Sequence, residues 1–294
     1  KEMEALFDLA ALLKKPRMKV QAPLAGKTLA MLFYKPSVRT RVSFEVGMAQ
    51  LGGRAVYLGP EDVQKGQRES QKDTARVLSR YVDGIVARTF AHKEMVELAQ
   101  YAKVPVISGL SDVHHPCQAL ADLFTLREHF GKKRSLKVAY IGDGNNVCHS
   151  LMQGCAMLGI NISVATPAKL KPQPEILAEA LKLAKRSGAK ITVTTQPKEA
   201  AKNADALYTD VWVSMGQEKR QKQKIKTLKN FQLNEALAKL ARKDHVVMHC
   251  LPAHRGQEIT DGLLDGKHSI VYQQAENRLH LQKAVLLWLL KGKK

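Results

Sequence analysis

Short apolar runs alternate with amphipathic stretches along most of the 294-residue chain. The first fifteen residues, KEMEALFDLAALLKK, carry acids inside a helical apolar spacing and read as a helix, not a signal peptide. In the first half, apolar runs predict strands at Thr28–Phe33, Arg54–Leu58, Gly84–Ala87 and Val104–Ile107. Between them helices begin near Ser37, Ser70 and His92, and another runs through Gln118–His129. After the turn-like stretch Gly131-Lys-Lys-Arg-Ser135 the pattern restarts. Its strands are predicted at Leu136–Ile141, Ile160–Ala165, Lys190–Thr194, Ala206–Thr209, His245–His249 and Ser269–Tyr272. Helices at Asn146–Leu158, Pro174–Ser187 and Leu233–Arg242 intervene. The last helix, Ala275–Lys291, is apolar on most faces and is expected to pack between other elements.

Alternating strand and helix implies parallel sheets built from right-handed crossovers. The fold class read from this pattern is α/β, with two domains, each a parallel sheet flanked by helices. The break near residue 131 sets the expected domains at 1–130 and 131–274, followed by the helix in 275–294.

Composition narrows the functional classes. No apolar run approaches the roughly 20 residues needed to cross a bilayer, so no membrane partner is expected. The four cysteines are scattered without a CxxC pair, which fits a reducing cytoplasm and argues against a structural zinc site. Lys+Arg outnumber Asp+Glu by 47 to 27, a formal charge of +20 that suits nucleic acid, anionic membrane or anionic small substrates alike. Much of the excess lies in EKRQKQKIKTLK (218–229), which lacks interleaved aromatics for stacking bases and reads as a solvated helix or loop.

Active sites of open α/β sheets lie beyond the carboxyl ends of strands, so the residues there are the candidates. After Thr28–Phe33 comes Ser37-Val38-Arg39-Thr40-Arg41. Ser37 can cap the next helix, whose free N–H groups favour an anion, while Arg39 and Thr40 offer a bidentate cation and a hydroxyl to phosphate oxygens. The same residues also suit an ordinary capped helix with two solvated arginines. Arg88 follows Gly84–Ala87, and His115-Pro116-Cys117-Gln118 opens a helix with an imidazole and an amide one turn apart. In the second half, Gly142-Asp143-Gly144-Asn145-Asn146 lacks the third glycine of a dinucleotide loop, and the next strand ends without a ribose-binding acid, which disfavours a nicotinamide cofactor. Asn146 could serve a zwitterionic amino acid, and Asp210 stands where a carboxylate could bind an amine. Cys250 follows the strand ending at His249 and is either a reactive thiol or a small apolar side chain. Arg278 heads the last helix and is the fourth arginine of the set.

Taken together, these segments resemble the aspartate/ornithine transcarbamylase family, and within it the ornithine-using branch. The resemblance spans the chain in order: SVRTR at 37–41, HPCQ at 115–118, GDGNN at 142–146, DVWVSMG at 210–216, HCLPAHRG at 249–256 and AENR at 275–278. It implies a carbamoyl phosphate domain, an ornithine domain, interdomain helices and a terminal helix returning to the first domain. It also implies transfer of the carbamoyl group of carbamoyl phosphate to the δ-amine of L-ornithine, giving L-citrulline and phosphate. By this likeness Ser37, Val38, Arg39, Thr40 and Arg88 hold the phosphate, and His115, Pro116, Cys117, Gln118 and Arg278 surround the carbamoyl group. Asn146, Asp210, Ser214 and Met215 bind ornithine, with Cys250 and the Leu251 carbonyl near the reacting atoms. Gln64 resembles a residue lent to a neighbouring subunit, which implies a homotrimer or a multiple of trimers.

The expected catalytic set is Arg39, His115, Asp210 and Cys250, without metal or organic cofactor and without a nucleic-acid partner. Asp210 and Cys250 orient the amine, and Arg39 and His115 stabilise the oxyanion. Val38 stands where the family usually has Thr, and Tyr34 replaces a common Glu. A sister enzyme acting on putrescine or N-acetylornithine is the nearest alternative, although Ser214-Met215-Gly216 favours ornithine; a non-catalytic anion or nucleic-acid binder is the alternative of a different class.

Overall fold

The computed structural model describes residues 1–15, 22–63, 69–131, 135–213 and 221–291. Helix α1 (Glu2–Lys14) precedes β1 (Thr28–Phe33), α2 (Val38–Gln50), β2 (Arg54–Leu58), α3 (Pro60–Val63), α4 (Gln71–Tyr81), β3 (Gly84–Arg88), α5 (His92–Tyr101), β4 (Val106–Leu110) and α6 (Pro116–Phe130). The alternation continues through β5 (Lys137–Ile141), α7 (Asn146–Leu158), β6 (Asn161–Ala165), α8 (Pro174–Ser187), β7 (Ile191–Thr194), α9 (Pro197–Ala201) and β8 (Ala206–Thr209). Helices α10 (Gln221–Leu228) and α11 (Glu235–Ala238), strand β9 (Val246–His249) and helices α12 (Asp261–Leu264) and α13 (Val271–Leu290) complete it. Two compact units result, one of residues 1–124 with 276–294 and the other of 125–275, so both divisions fall inside helices.

In the first unit the parallel sheet has the order β2-β1-β3-β4. The central strands β1 and β3 are buried almost throughout, as expected for strands covered on both faces. Helix α13 belongs to this unit from Glu276 onward. A Cβ on Gly84 would lie 2.7 Å from Leu290, so the glycine lets the helix settle on β3. Lys283 of α13 donates to the Leu13 carbonyl and to Gln50, at 3.1 and 2.9 Å, tying the helix to α1 and α2.

In the second unit the parallel sheet runs β7-β6-β5-β8-β9. Tyr140 of β5 and Tyr208 of β8 stack side by side, fully buried, with ring centroids 5.7 Å apart. Helices α7 and α8 end at Gly159 and Gly188, whose φ values of 76° and 81° suit the left-handed terminus that glycine adopts without a Cβ clash. Among the described residues no helix is long and apolar enough to cross a membrane.

Strand order explains where chemistry gathers. In the first sheet the progression from β1 goes outward to β2 and then reverses to β3, leaving a crevice beyond the carboxyl ends of β1 and β3. The Ser37 loop follows β1 and Arg88 ends β3. In the second sheet the reversal falls between β5 and β8, and the GDGNN loop follows β5 while Asp210 follows β8. Both units thus carry their candidate residues at topological switch points.

Several segments differ from the sequence reading. The strand expected at Val104 begins at Val106, because Pro105 has no N–H to give a ladder and contributes only its carbonyl, to Ile85 N. The helix expected over Leu233–Arg242 shrinks to α11, capped by Asn234, while Leu233 forms an isolated bridge with Ile259. The strand expected at Ser269–Tyr272 is a correction: Ser269 makes one bridge to Val247, and the chain turns into α13 at Val271, a core residue at helical spacing. The basic stretch is not wholly solvated either, since α10 buries Leu228 and aims Lys224 at Asp143.

Candidate active site

Ser37 is the N-cap of α2, its hydroxyl accepting from Thr40 N at 3.3 Å, so the loop after β1 opens directly onto a helix N-terminus. Val38 is the first helical residue and 75% exposed, placing no polar atom there. Arg41 turns away, its guanidinium 3.8 Å over the Tyr57 ring and its Nε facing Glu45. Tyr34 donates to Gln71 at 2.6 Å, and burial pushes its phenol up to about 12.

Arg278 is buried and its guanidinium fork is engaged on several sides. Its Nη1 donates to Gln118 Oε1 at 2.5 Å and its Nη2 to Thr40 Oγ1 at 3.1 Å. The Gln282 amide, turned so that its oxygen faces the guanidinium, accepts from Nε and Nη2 at 3.1 and 2.9 Å. Gln118 in turn donates to the fully buried Asp122 at 2.8 Å. Arg88, the last residue of β3, is also buried.

His115 lies just before α6 and is almost fully enclosed. Burial holds its imidazole well below the ordinary range, and the charges of Arg278, Arg88 and Arg39 push it further the same way. A neutral imidazole thus stands within the field of three guanidinium groups, an arrangement that favours an anion among them. Pro116 opens α6, and Cys117 behind it donates to the Ser108 carbonyl at 3.4 Å. Burial pushes the Cys117 thiol up to about 11, against the pull of Arg278, so it remains a thiol.

In the second unit the Cys250 thiol donates to Asp210 Oδ1 at 2.9 Å. The other carboxylate oxygen, Oδ2, accepts from Asn145 Nδ2 at 2.7 Å. Asn145 is the N-cap of α7: its Oδ1 accepts from Val147 N and Cys148 N, and from the Tyr140 hydroxyl at 3.2 Å. Asn146, next to it, accepts Val147 N at 3.0 Å. Asp143 forms a close ion pair with Lys224 at 2.6 Å, where burial pushes its carboxyl up against the pull of that lysine.

His249 Nδ1 accepts from Leu251 N at 2.8 Å, and Nε2 lies 3.2 Å from the buried Glu258. The backbone donor fixes the proton on Nε2, and the same bond helps hold Leu251 at a φ of 55°, unusual for a branched side chain. Asp210, His249 and Cys250 bring potential metal-ligand atoms within 4.8 Å of one another. The imidazole lone pair accepts from Leu251 N and the thiol donates to Asp210.

Residues 1–128 match the profile described as the aspartate/ornithine carbamoyltransferase carbamoyl-P binding domain, and residues 134–289 match that of the Asp/Orn binding domain. An ornithine carbamoyltransferase of Anoxybacillus flavithermus is 54% identical over 291 residues, covering 98% of this chain and 93% of the relative. One from Thermococcus kodakarensis is 51% identical over 293 residues, with 99% and 93% covered. The chain belongs to the aspartate/ornithine carbamoyltransferase family. The solved ornithine carbamoyltransferase of Pyrococcus furiosus superposes with a TM-score of 0.96 at 50% identity, covering 100% of this chain and 94% of that one. That of Thermus thermophilus gives 0.88 at 49% identity, with 98% and 94% covered.

For this member of the carbamoyltransferase family, the structure gathers Thr40, Gln118 and Arg278 into direct contact, with Arg39, Arg88 and Arg278 acting on His115. It separately gathers Asp210 and Cys250. Gln64, Ser214 and Met215 lie outside the described residues. Sequence reasoning passed over Asn145, Asp122 and Gln282. Asn145 was discoverable as the first Asn before a helix, the capping position. Asp122 and Gln282 share helix faces with Gln118 and Arg278 at four-residue spacing, but a helical pattern does not reveal which polar residue is buried.

Proposed function

We propose that this chain transfers the carbamoyl group of carbamoyl phosphate to the δ-amine of L-ornithine, giving L-citrulline and phosphate. The observation that carries this reading is the buried Arg278, bonded to Gln118 and to Thr40 of the capped α2 N-terminus, with buried His115 in the field of Arg39, Arg88 and Arg278. Ornithine carbamoyltransferases about half identical over nearly the whole chain support ornithine as the acceptor.

Ser37, Arg39, Thr40 and Arg88 hold the phosphate, with helix N–H groups and the Val38 backbone beside them. His115, Pro116, Cys117, Gln118 and Arg278 line the carbamoyl end, where His115, kept neutral, donates to the carbonyl oxygen as charge develops on it. Asn146 and Asp210 bind ornithine, together with Ser214 and Met215, and Gln64 reaches the site of a neighbouring subunit. The attacking amine must be neutral, although such amines ordinarily titrate near ~10.4. Cys250 and the Leu251 carbonyl orient it next to Asp210. The amine adds to the carbonyl carbon, the C–O bond to phosphate breaks, and the departing phosphate carries away the amine proton as hydrogen phosphate. No oxidation state changes, so the transfer needs no redox cofactor.

The functional particle is a homotrimer or a multiple of it. Val38, Val42 and Val46 recur every four residues on one exposed face of α2, an apolar stripe suited to a second copy. The cytoplasm is its compartment, in keeping with four cysteines that are not joined in disulfides.

Citrulline formation from ornithine and carbamoyl phosphate tests the proposal, with putrescine and N-acetylornithine as competing acceptors. Turnover with either of those and none with ornithine would reassign the substrate. Calorimetry on Arg39→Ala tests the anion site, where unchanged carbamoyl phosphate affinity would refute it.

A further inference from the structure

Tyr140 and Tyr208 form a buried stacked pair, and from each hydroxyl a hydrogen-bond chain leads toward the Cys250–Asp210 contact. Tyr208 accepts from Gln274 Nε2 at 3.2 Å, and Gln274 Oε1 accepts from His249 N at 3.0 Å, fixing the backbone that leads into Cys250. Tyr140 donates to Asn145 Oδ1 at 3.2 Å, and Asn145 Nδ2 donates to Asp210 Oδ2 at 2.7 Å. The two arms converge on the same carboxylate–thiol contact from different strands.

Asn145 is the residue on which most of this depends. Its amide oxygen is held by Val147 N, Cys148 N and Tyr140 Oη, so the amide plane and the direction of its Nδ2–H are set. Three donors on the oxygen also fix which end is nitrogen, because the reversed amide would point N–H groups at N–H groups. The neighbouring Gly144 makes this possible. A Cβ there would come within 2.5 Å of the Leu170 carbonyl, so the loop lies pressed against the segment before α8. Gly144 N donates to that same carbonyl at 2.9 Å. The loop is rigid where Asn145 leaves it.

We propose that Asn145 is a positioning residue for ornithine: it clamps Asp210 Oδ2 so that the carboxylate presents one fixed face to the substrate's amine. The proposal rests on Asp210 binding ornithine. A carboxylate on a freely turning side chain loses rotamer entropy when it binds, and Asn145 removes that cost in advance. The clamp is neutral, so it fixes the carboxylate without cancelling the charge that attracts the amine, as a lysine or arginine there would.

Asn145→Ser separates this role from capping, since a serine hydroxyl can still accept from the first helical N–H groups but cannot reach Asp210 with an amide N–H. The expected result is at least a tenfold rise in KM for ornithine, with carbamoyl phosphate affinity unchanged within twofold and the melting temperature near that of the parent. Asn145→Asp is the second variant, which keeps the cap and turns the donor into a second carboxylate facing Asp210. Two carboxylates in contact share a proton as pH falls, which restores a donor. Its activity relative to the parent enzyme should therefore rise on acidification. An ornithine KM within twofold of the parent in Asn145→Ser, or a pH-independent activity ratio in Asn145→Asp, would overturn the clamp. Failure of the parent itself to form citrulline would instead overturn the function on which the clamp rests.

Discussion

The Cys250 thiol donates to Asp210 Oδ1 across 2.9 Å, so in this arrangement sulfur is the donor and the carboxylate the acceptor. A thiol hydrogen-bonded to a carboxylate keeps its proton and orients that carboxylate toward its other partners. Replacement by another donor should then be tolerated better than deletion. Cys250→Ser is expected to retain more citrulline formation than Cys250→Ala, with the larger ornithine KM in the alanine variant. Equal loss in both would show that sulfur itself, as thiolate, is what the reaction uses.

Val38 leaves a position beside the proposed anion site without a hydroxyl, and its side chain is 75% exposed. Val38→Thr adds a donor at nearly unchanged side-chain volume, so it displaces no packed atoms of this chain. A new charge-assisted hydrogen bond of about 1.5–3 kcal/mol would tighten carbamoyl phosphate binding by tenfold or more. Titration calorimetry on the variant measures this, and no gain would mean that a backbone N–H already serves the same phosphate oxygen.

Arg278→Lys keeps the charge and loses the fork that reaches Gln118 and Thr40. Each buried bond lost is worth about 1.5–3 kcal/mol, so both urea stability and carbamoyl phosphate affinity should drop. Full retention of either would argue that charge alone matters at this position.

Acid should weaken the fold through His115, whose imidazole is held well below its ordinary value by burial and by three arginines. Below about pH 6.5 the unfolded chain takes up a proton there that the folded chain refuses, so stability falls as pH drops through that window. His115→Gln removes this contribution. Its urea midpoint should decline less than the parent's between about pH 6.5 and 5, and parallel declines would refute the assignment.

Lys224 and Asp143 are both nearly enclosed, with 11% and 9% of their side chains exposed. Lys224→Met strands a buried carboxyl and should cost about 3–5 kcal/mol by urea denaturation. Adding Asp143→Asn should recover part of that, because the asparagine leaves no charge behind. A double variant no more stable than the single one would contradict a paired role.

Much of this was legible in the sequence because strand and helix periods switch cleanly and each candidate follows a strand. Ser37, Arg88, His115 and Cys250 could be placed on strand ends and helix starts by pattern alone. Ser269–Tyr272 could not, since a short apolar run fits a strand and a buried helix start equally well. Lys224 was hidden for the opposite reason: surrounded by lysines, it looked solvated, and only its partner 81 residues away distinguishes it. Asn145 was overshadowed by Asn146 because two adjacent amides give no sign of which one turns inward.

Arg278 meets Gln118 and Thr40 across separations of 160 and 238 residues, and the first unit is interrupted by the whole of the second. A ribosome therefore delivers the Ser37 loop and the His115 helix long before the arginine that locks them together. Until α13 emerges, the first unit is a sheet with its guanidinium keystone missing, and the second unit has already been made. Such long-range closure is slow to form, and the contacts of Arg278 with Gln118 and Thr40 wait on the synthesis of everything between them.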